Sequence, residues 1–254
     1  MGGTVSSPAG PTLTSLAQNS YQYEDLLVRS RDPYAHAKYQ VILRYLDHSR
    51  PLRILNAGCG SGDLSFLLAA RGHVVTGIDP GAEYVALARE RSAEGAGRCT
   101  FDVASIETFE TPEAFDCVIA TDVLEHIEDD RAAYRKLARL TRGSGPLIIT
   151  VPAGPWLFGY HDEQLGHYRR YTRASLRALA ETASTVEDIR YFGVCLVPVC
   201  LWFSRWRRIP YPVAESGDTS ARPLTAPLLR AVLAAERRLR PPLGTSLLMK
   251  ARPR

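Results

Sequence analysis

Short apolar runs alternate with amphipathic stretches along most of the chain. The apolar runs, rich in Val, Ile and Leu, predict strands that are buried on both faces of a sheet. They begin near residues 52, 73, 99, 115, 146 and 186. The amphipathic stretches between them predict helices over residues 63–70, 82–91, 129–141 and 173–183. This alternation predicts an α/β fold with a doubly wound, mostly parallel sheet and helices on both faces.

The turn after the first strand is rich in glycine. Gly58, Gly60 and Gly62 fall on alternate residues, and the missing β-carbons let a ligand approach the backbone closely. Asp79 ends the second strand, where a carboxylate accepts hydrogen bonds from ribose hydroxyls in doubly wound sheets. The G-x-G-x-G spacing differs from the G-x-G-x-x-G that binds a pyrophosphate, so the turn suits a nucleoside without phosphates. A tight turn that binds no ligand is the alternative.

Two further acids belong to the next two strands. Asp102 lies in the third strand, and Asp122 follows the fourth. Parallel strands end at the same edge of the sheet as the glycine turn. We therefore expect Asp102 to meet an adenine amino group and Asp122 to face the outer end of the pocket.

The runs LNAGCGSG, GIDP, FDVAS and FDCVIATDVLEHI, in this order, resemble the class I S-adenosylmethionine-dependent methyltransferases. The likeness is to the branch in which Leu-Glu-His follows the fourth strand, and it covers roughly residues 20–190. It implies a Rossmann-like sheet of seven strands, with residues 246–252 forming an antiparallel strand at an edge. Asn56 departs from the family, which usually carries an acid there; this bears on one cofactor contact and not on the fold.

The resemblance also implies S-adenosyl-L-methionine as the cosubstrate. Its adenosine would lie across Asp79 and Asp102, and its methionine part over residues 58–60. The residues that this prediction assigns to the cosubstrate are Gly58, Cys59, Gly60, Asp79, Pro80, Asp102, Val103 and Asp122.

The connection after the fifth strand, residues 160–171, holds the densest group of functional side chains. Its pattern His-Asp-Glu…Gly-His-x-Arg-Arg-Tyr resembles the same branch. Methyl transfer requires removal of a proton from the acceptor, and the ordinary pKa of histidine suits a base that works near neutral pH. We expect His161 to be the base, while Asp162 or Glu163 orients its ring or acts as the base. The predicted catalytic residues are His161, Asp162, Glu163 and His167.

Neighbouring features of this edge carry structural alternatives. Arg169 and Arg170 either clamp an anionic group of the acceptor or brace the following helix. Glu125 and His126, after the fourth strand, are expected to brace their loop. No metal is predicted, because the consecutive residues of the His-Asp-Glu run rarely face one ion.

Size and charge indicate how the chain is organised. Its 254 residues, 45% of them hydrophobic, suffice for a single domain over residues 21–254, preceded by a flexible tail over residues 1–20. The net charge is +4, yet residues 204–254 carry eleven basic and three acidic residues. Residues 191–240 are predicted to be an apolar and basic insertion that faces the acceptor or contacts an anionic membrane surface. A packed helix with a solvated basic face is the alternative.

The predicted function is methyl transfer from S-adenosylmethionine to a small-molecule or lipid-linked acceptor. Five cysteines without a Cys-x-x-Cys pattern indicate neither a disulfide framework nor a zinc site, which favours the cytoplasm. A nucleic-acid methyltransferase is disfavoured because aromatic and basic residues are not interleaved as in RNA-binding modules. A nicotinamide-dependent oxidoreductase is disfavoured by the glycine spacing, and a non-catalytic cofactor-binding partner of the same fold stays open. The patterns leave the oligomeric state open.

Overall fold

The computed structural model describes residues 32–93, 98–210 and 225–254. In these ranges a sheet of seven strands forms in the order β3-β2-β1-β4-β5-β7-β6. Its strands are β1 (Arg53–Ala57), β2 (Val74–Asp79), β3 (Cys99–Val103), β4 (Cys117–Thr121), β5 (Leu147–Pro152), β6 (Ser184–Phe192) and β7 (Ser246–Pro253). Strands β1 to β5 run parallel, and β7 runs antiparallel to β5 and β6. The predicted fold class is confirmed.

The C-terminal strand lies inside the sheet, which corrects its predicted place at an edge. β7 is hydrogen-bonded to β5 on one side and to β6 on the other, so that β6 forms the edge. Leu247, Leu248 and Met249 are fully buried, whereas β6 exposes Thr185 and Glu187. Consecutive apolar side chains point to opposite faces of the sheet, so both faces of such a strand must be buried. In the interior of the sheet, the layers packed on both faces bury these side chains.

Helices cover both faces of the sheet. They are α1 (Pro33–Leu43), α2 (Asp63–Ala69), α3 (Ala82–Ala93), α4 (Asp130–Leu140), α5 (Tyr160–Leu165), α6 (Arg173–Ala180), α7 (Val197–Val199) and α8 (Thr225–Glu236). One apolar cluster joins the sheet to α4 and α6, and a second joins its other face to α1, α2, α3 and α8. A π-helix, Cys200–Arg207, continues α7.

Capping residues set the starts of two helices. Asp129 accepts a hydrogen bond from the backbone N–H of Ala132 at 2.9 Å, so α4 begins at Asp130, one residue later than predicted. Asp32 caps α1 in the same way. Pro33 occupies the first turn of that helix, where its missing N–H leaves no hydrogen bond unmade.

Some predictions fall outside the described residues. These are the tail over residues 1–20, and the part of the 191–240 insertion between residues 211 and 224. Within the described ranges, no helix combines the length and the apolar character needed to cross a bilayer.

Candidate active site

The glycine turn follows β1 at the carboxyl edge of the parallel strands. Its first glycine, Gly58, has φ +70°, and a β-carbon there would overlap the side chain of Val123. The N–H groups of Gly58 and Cys59 both donate to the carbonyl of Ile78, at 2.8 and 3.0 Å. Only glycine combines a left-handed backbone with this close approach. The turn therefore packs against both the end of β2 and the loop after β4.

Asp79, at the end of β2, holds the turn in place. Its buried carboxylate accepts the N–H of Gly60 on Oδ2 and the N–H of Gly81 on Oδ1, each at 2.9 Å. These two hydrogen bonds fix the orientation of the carboxylate at the carboxyl end of β2. Val103 lies opposite Asp79 in the β2–β3 ladder and is 50% exposed, and Pro80 is also exposed. Apolar surface that a planar ring can cover thus flanks the acid.

A pocket opens beside the turn. It is lined by Tyr39, Asn56, Gly58, Cys59, Gly60, Ser61, Asp63, Leu64 and Thr121. Nδ2 of Asn56 donates to Ser65 at 2.9 Å, but Oδ1 of Asn56 and Oγ1 of Thr121 are buried without a hydrogen-bond partner among the described residues. Buried acceptors without a donor are costly. The pocket therefore fits a ligand that brings donors, such as the ammonium group of S-adenosylmethionine.

Cys59 and Asp102, both predicted to bind the cosubstrate, lie in different surroundings. Burial raises the pKa of the Cys59 thiol, so this thiol stays protonated at neutral pH. Asp102 is exposed on the edge strand β3, and its Oδ1 lies 3.5 Å from the guanidinium of Arg89. The contact between Asp102 and adenine stays a prediction.

Asp122 follows β4 with a strained backbone. Its φ of +54° is a left-handed value that residues other than glycine rarely adopt. The carboxylate forms a buried ion pair with Lys38 of α1 and accepts a hydrogen bond from the hydroxyl of Thr150 at 3.0 Å. Each charge compensates the other, and removing one would leave the other buried and unpaired. The ion pair and the hydrogen bond from Thr150 together attach α1 to the carboxyl ends of β4 and β5.

Asp162 is the centre of a buried hydrogen-bond network at α5. Its carboxylate accepts from Nδ1 of His167 at 2.8 Å, from Nε of Arg170 at 2.7 Å and from the N–H of Gly159 at 3.0 Å. Burial by itself would raise the pKa of Asp162, but the His167 and Arg170 donors outweigh burial and lower this pKa to about 2. Asp162 is therefore ionised at neutral pH and cannot act as an acid there.

This network differs from one of the pairings that the sequence left open. The sequence offers Asp162 or Glu163 to orient His161 or to act as the base, whereas the structure pairs Asp162 with His167. The reason is the chain reversal at Gly166, whose φ of +71° ends α5 and brings the following residue back over the helix.

The other two residues of the His-Asp-Glu run have separate contacts. A carboxylate oxygen of Glu163 accepts a hydrogen bond from Arg208 at 2.5 Å, and the backbone N–H of His161 donates to the hydroxyl of Ser204 at 3.1 Å. Successive helical residues are about 100° apart around the axis, so three consecutive side chains diverge. Both contacts connect α5 to the π-helix and its C-terminal end.

His167 meets a histidine that the sequence predicts only to brace its own loop. The rings of His126 and His167 are perpendicular, with centroids 4.6 Å apart. The N–H of Tyr168 donates to the carbonyl of Glu125 at 2.8 Å, joining the two connections. Donor atoms of Glu125, His126 and His167 lie within 4.8 Å of one another, a spacing that can share a proton or hold a divalent cation. In the sequence, the Leu-Glu-His motif marks His126. It does not reveal the contact with His167, because His167 belongs to the connection after β5.

The two arginines after His167 brace the structure. Arg170 is buried and donates to Asp162 and, at 3.2 Å, to the carbonyl of Ala153. Arg169 forms an ion pair with Asp130, at the start of α4, at 3.0 Å. The sequence left two alternatives for Arg170, a clamp on an acceptor anion and a structural brace. Its contacts support the brace, because its guanidinium is held inside the protein.

Comparison with known proteins agrees with this geometry. Residues 48–211 match the family described as methyltransferase domain. A ubiquinone biosynthesis O-methyltransferase of Idiomarina loihiensis is 26% identical over 161 residues, which are 58% of this chain and 66% of the relative. A protein of the same description from Xanthomonas euvesicatoria is 37% identical over 121 residues, covering 46% and 51%. The chain thus spans about half to two thirds of the length of these relatives.

Solved structures share the fold. An N-methyltransferase of Bradyrhizobium japonicum in complex with S-adenosyl-L-homocysteine aligns with a TM-score of 0.58 at 16% identity, over 91% of this chain and 97% of its own. A magnesium protoporphyrin IX methyltransferase of Synechocystis with bound S-adenosylmethionine aligns with a TM-score of 0.57 at 18% identity, over 98% and 100%. The fold is that of the class I S-adenosylmethionine-dependent methyltransferases. The chain belongs to the methyltransferase-domain family, which confirms the predicted family and cosubstrate class.

Proposed function

We propose that the protein transfers a methyl group from S-adenosylmethionine to a small-molecule or lipid-linked acceptor. The observation that carries this proposal is the proximity of two groups at one edge of the sheet. One is the pocket beside the glycine turn, and the other is the imidazole pair of His126 and His167. Val123 connects them, because its side chain adjoins Gly58 and it directly precedes the 3-10 turn Leu124–His126.

Binding of the cosubstrate rests on Asp79 and the unsatisfied acceptors of the pocket. In this proposal the Asp79 carboxylate accepts hydrogen bonds from the ribose hydroxyls. Oδ1 of Asn56 and Oγ1 of Thr121 accept hydrogen bonds from the ammonium group. The backbone of residues 58–60 would lie along the methionine part. Pro80, Val103, Asp102 and Asp122 complete the proposed binding set.

The reaction is a displacement at carbon. When bound, S-adenosylmethionine supplies an electrophilic methyl group on a sulfonium, which the acceptor's nucleophile attacks in line as the bond to sulfur breaks. This chain's residues must position the acceptor and take its proton. His167 suits the role of proton acceptor, because the ionised Asp162 holds a proton on Nδ1 and leaves the lone pair on Nε2. Asp162 acts as a positioning residue, and His126 lies where it can share the proton.

His161 and Glu163 remain part of the proposed site as second candidates for the base. Both lie on α5 at the same edge of the sheet, but their described contacts lead to Ser204 and Arg208. The choice of His167 over His161 rests on Asp162, whose carboxylate orients the ring of His167.

The names of the curated relatives favour the class of acceptor. They are described as ubiquinone biosynthesis O-methyltransferases. By analogy, the proposed acceptor group is a hydroxyl, carried by a small or lipid-linked molecule. Peripheral contact with a membrane through residues 191–240 belongs to the same proposal.

Two measurements test the proposal. Titration calorimetry with S-adenosylhomocysteine tests the cosubstrate site, and incubation with labelled S-adenosylmethionine and an extract of the host tests transfer. Label in a small molecule or lipid supports the proposal, whereas label in nucleic acid supports the principal alternative. Binding without transfer to any acceptor would indicate a non-catalytic partner, and a thermal shift with NAD alone would indicate an oxidoreductase.

A chelator separates two uses of the histidine pair. If His167 takes the proton directly, turnover survives chelation and the His167→Gln variant changes the pH profile of kcat. If turnover is lost on chelation and restored by a divalent cation, Glu125, His126 and His167 act as ligands and the base assignment fails.

A further inference from the structure

All three tryptophans of the chain lie at the surface. Trp156 is 52% exposed, Trp202 is 50% exposed and Trp206 is 72% exposed. Tryptophan is highly buried on average, and exposed tryptophans are enriched where one side of the ring is apolar and the other is wet. The exposure of all three tryptophans is therefore unusual and points to a functional surface.

The tryptophans belong to two segments that pack together. Trp202 and Trp206 lie in the π-helix Cys200–Arg207, with ring centroids 6.1 Å apart. Trp156 lies in the 3-10 turn Pro155–Leu157, and the neighbouring Leu157 forms a small apolar cluster with Val197 and Cys200. The turn that carries Trp156 therefore packs against the helical segment that carries Trp202 and Trp206.

This region is firmly attached to the fold. At its start, the buried carboxylate of Glu236 accepts the backbone N–H groups of Gly193, Val194 and Cys195 at 2.7, 3.1 and 3.1 Å. At its other end, the buried hydroxyl of Ser204 accepts the N–H of His161. The tryptophans are therefore displayed by an anchored segment.

The charge of the region has one sign. Residues 193–210 contain no Asp or Glu. Arg208 pairs with Glu163, whereas Arg205 and Arg207 are exposed and have no ion-pair partner among the described residues. Tryptophan rings at headgroup depth, flanked by arginines that reach phosphates, are typical of proteins that bind anionic bilayers.

We propose that Trp156, Trp202, Trp206, Arg205 and Arg207 form a docking surface for anionic lipid bilayers. This docking surface adjoins the candidate active site, because Ser204 contacts His161 and Arg208 contacts Glu163 on α5. Docking would bring the acceptor side of the site to the membrane surface. This inference rests on the membrane contact included in the proposed function and assigns that contact to particular side chains. The binding test requires no methyl transfer, so its failure can be told apart from failure of the proposed reaction.

The tryptophans themselves report the binding. The full-length protein is mixed with vesicles of phosphatidylglycerol and phosphatidylcholine, and with vesicles of phosphatidylcholine alone. With the anionic vesicles we expect co-flotation at low salt, a blue shift of tryptophan emission and quenching by brominated lipids. Raised salt should weaken the binding, since the attraction between arginines and lipid phosphates is screened.

Paired variants test the two kinds of side chain. Trp202→Ser with Trp206→Ser should abolish flotation. Arg205→Gln with Arg207→Gln should weaken it about 25-fold, since each arginine near an anionic surface contributes about five-fold. The matched control, Arg135→Gln with Arg139→Gln, removes two exposed arginines from α4 and should leave flotation unchanged. Circular dichroism checks that all variants fold.

Three outcomes overturn the proposal. One is the absence of flotation with anionic vesicles at low salt. Another is equal loss in the α4 control, which would indicate unspecific attraction by net charge. The third is self-association of the wild type that disappears in the tryptophan variant without any vesicle binding, which would make the surface an interface between copies.

Discussion

Asp162 and His167 form a buried carboxylate–imidazole pair, with Oδ1 of Asp162 2.8 Å from Nδ1 of His167. The pair fixes the orientation and the tautomer of an imidazole that faces His126. It thereby connects the loop after β5 with the 3-10 turn after β4, two segments that lie far apart in the chain.

His167→Gln should lower kcat by roughly 10²- to 10⁴-fold, the range for losing a general base, with affinity for S-adenosylhomocysteine nearly unchanged. Initial-rate assays on the identified acceptor would measure kcat, and titration calorimetry would measure the affinity for S-adenosylhomocysteine. His161→Gln is the matched comparison on the same connection and should have the smaller effect. The reverse order of the two variants would return the base to His161.

Asp162→Asn should destabilise the protein by about 3–5 kcal/mol, because it leaves the guanidinium of Arg170 buried without its carboxylate. Urea unfolding at neutral pH would measure the loss. Glu163→Gln, on the same helix with an exposed ion pair, should change stability by less than about 1 kcal/mol. Equal stability of wild type and Asp162→Asn would contradict the network described above.

Asp79→Ala should weaken binding of S-adenosylhomocysteine by about 1.5–3 kcal/mol, the cost of losing charge-assisted hydrogen bonds. The substitution also releases the N–H of Gly60 from the carboxylate, so the glycine turn loosens. Calorimetry measures the affinity, and Glu113→Gln, far more exposed, is the control. An unchanged affinity would remove the assignment of this pocket to the cosubstrate.

Gly58→Ala should destabilise the protein by about 1–3 kcal/mol through its left-handed backbone alone, with a further loss from overlap with Val123. Adding Val123→Ala should restore only the part caused by overlap. Thermal unfolding of the single and double variants separates the two contributions. Full recovery in the double variant would show that the backbone at residue 58 carries no strain.

His73 should make stability depend on pH. Burial, followed by the nearby His48, lowers the pKa of His73, whose Nδ1 accepts the N–H of Leu52 at 3.2 Å. In the folded protein the pKa of His73 lies below its unfolded value of about 6.5. The contribution of neutral His73 to the free energy of unfolding is therefore complete above about pH 6.5 and is lost as the pH falls through the folded pKa. Urea unfolding at falling pH should show a smaller decline for His73→Gln than for wild type. His36→Gln, at an exposed histidine, should decline as the wild type does.

The patterns in the sequence determined the fold class and the placement of the glycine turn beside Asp79. Strand and helix periodicity reflects burial on two faces, and the glycine turn with Asp79 is a local arrangement of strand, turn and helix. Interactions between near neighbours in the chain leave a readable spacing. That is why both features could be predicted without coordinates. The interior position of β7 was predicted wrongly as an edge position, because it depends on which strands pair.

Only the tertiary structure decided the meeting of His126 and His167 and the exposure of the tryptophans. His126 and His167 belong to different connections, and their meeting depends on the reversal at Gly166 and on the hydrogen bond from Tyr168 to Glu125. The apolar segment around Trp202 could equally have been a buried helix, because composition does not reveal which face a neighbour covers. Residues in distant segments that contact each other show no fixed spacing in the chain. The sequence therefore does not reveal which of them meet at the edge of the sheet.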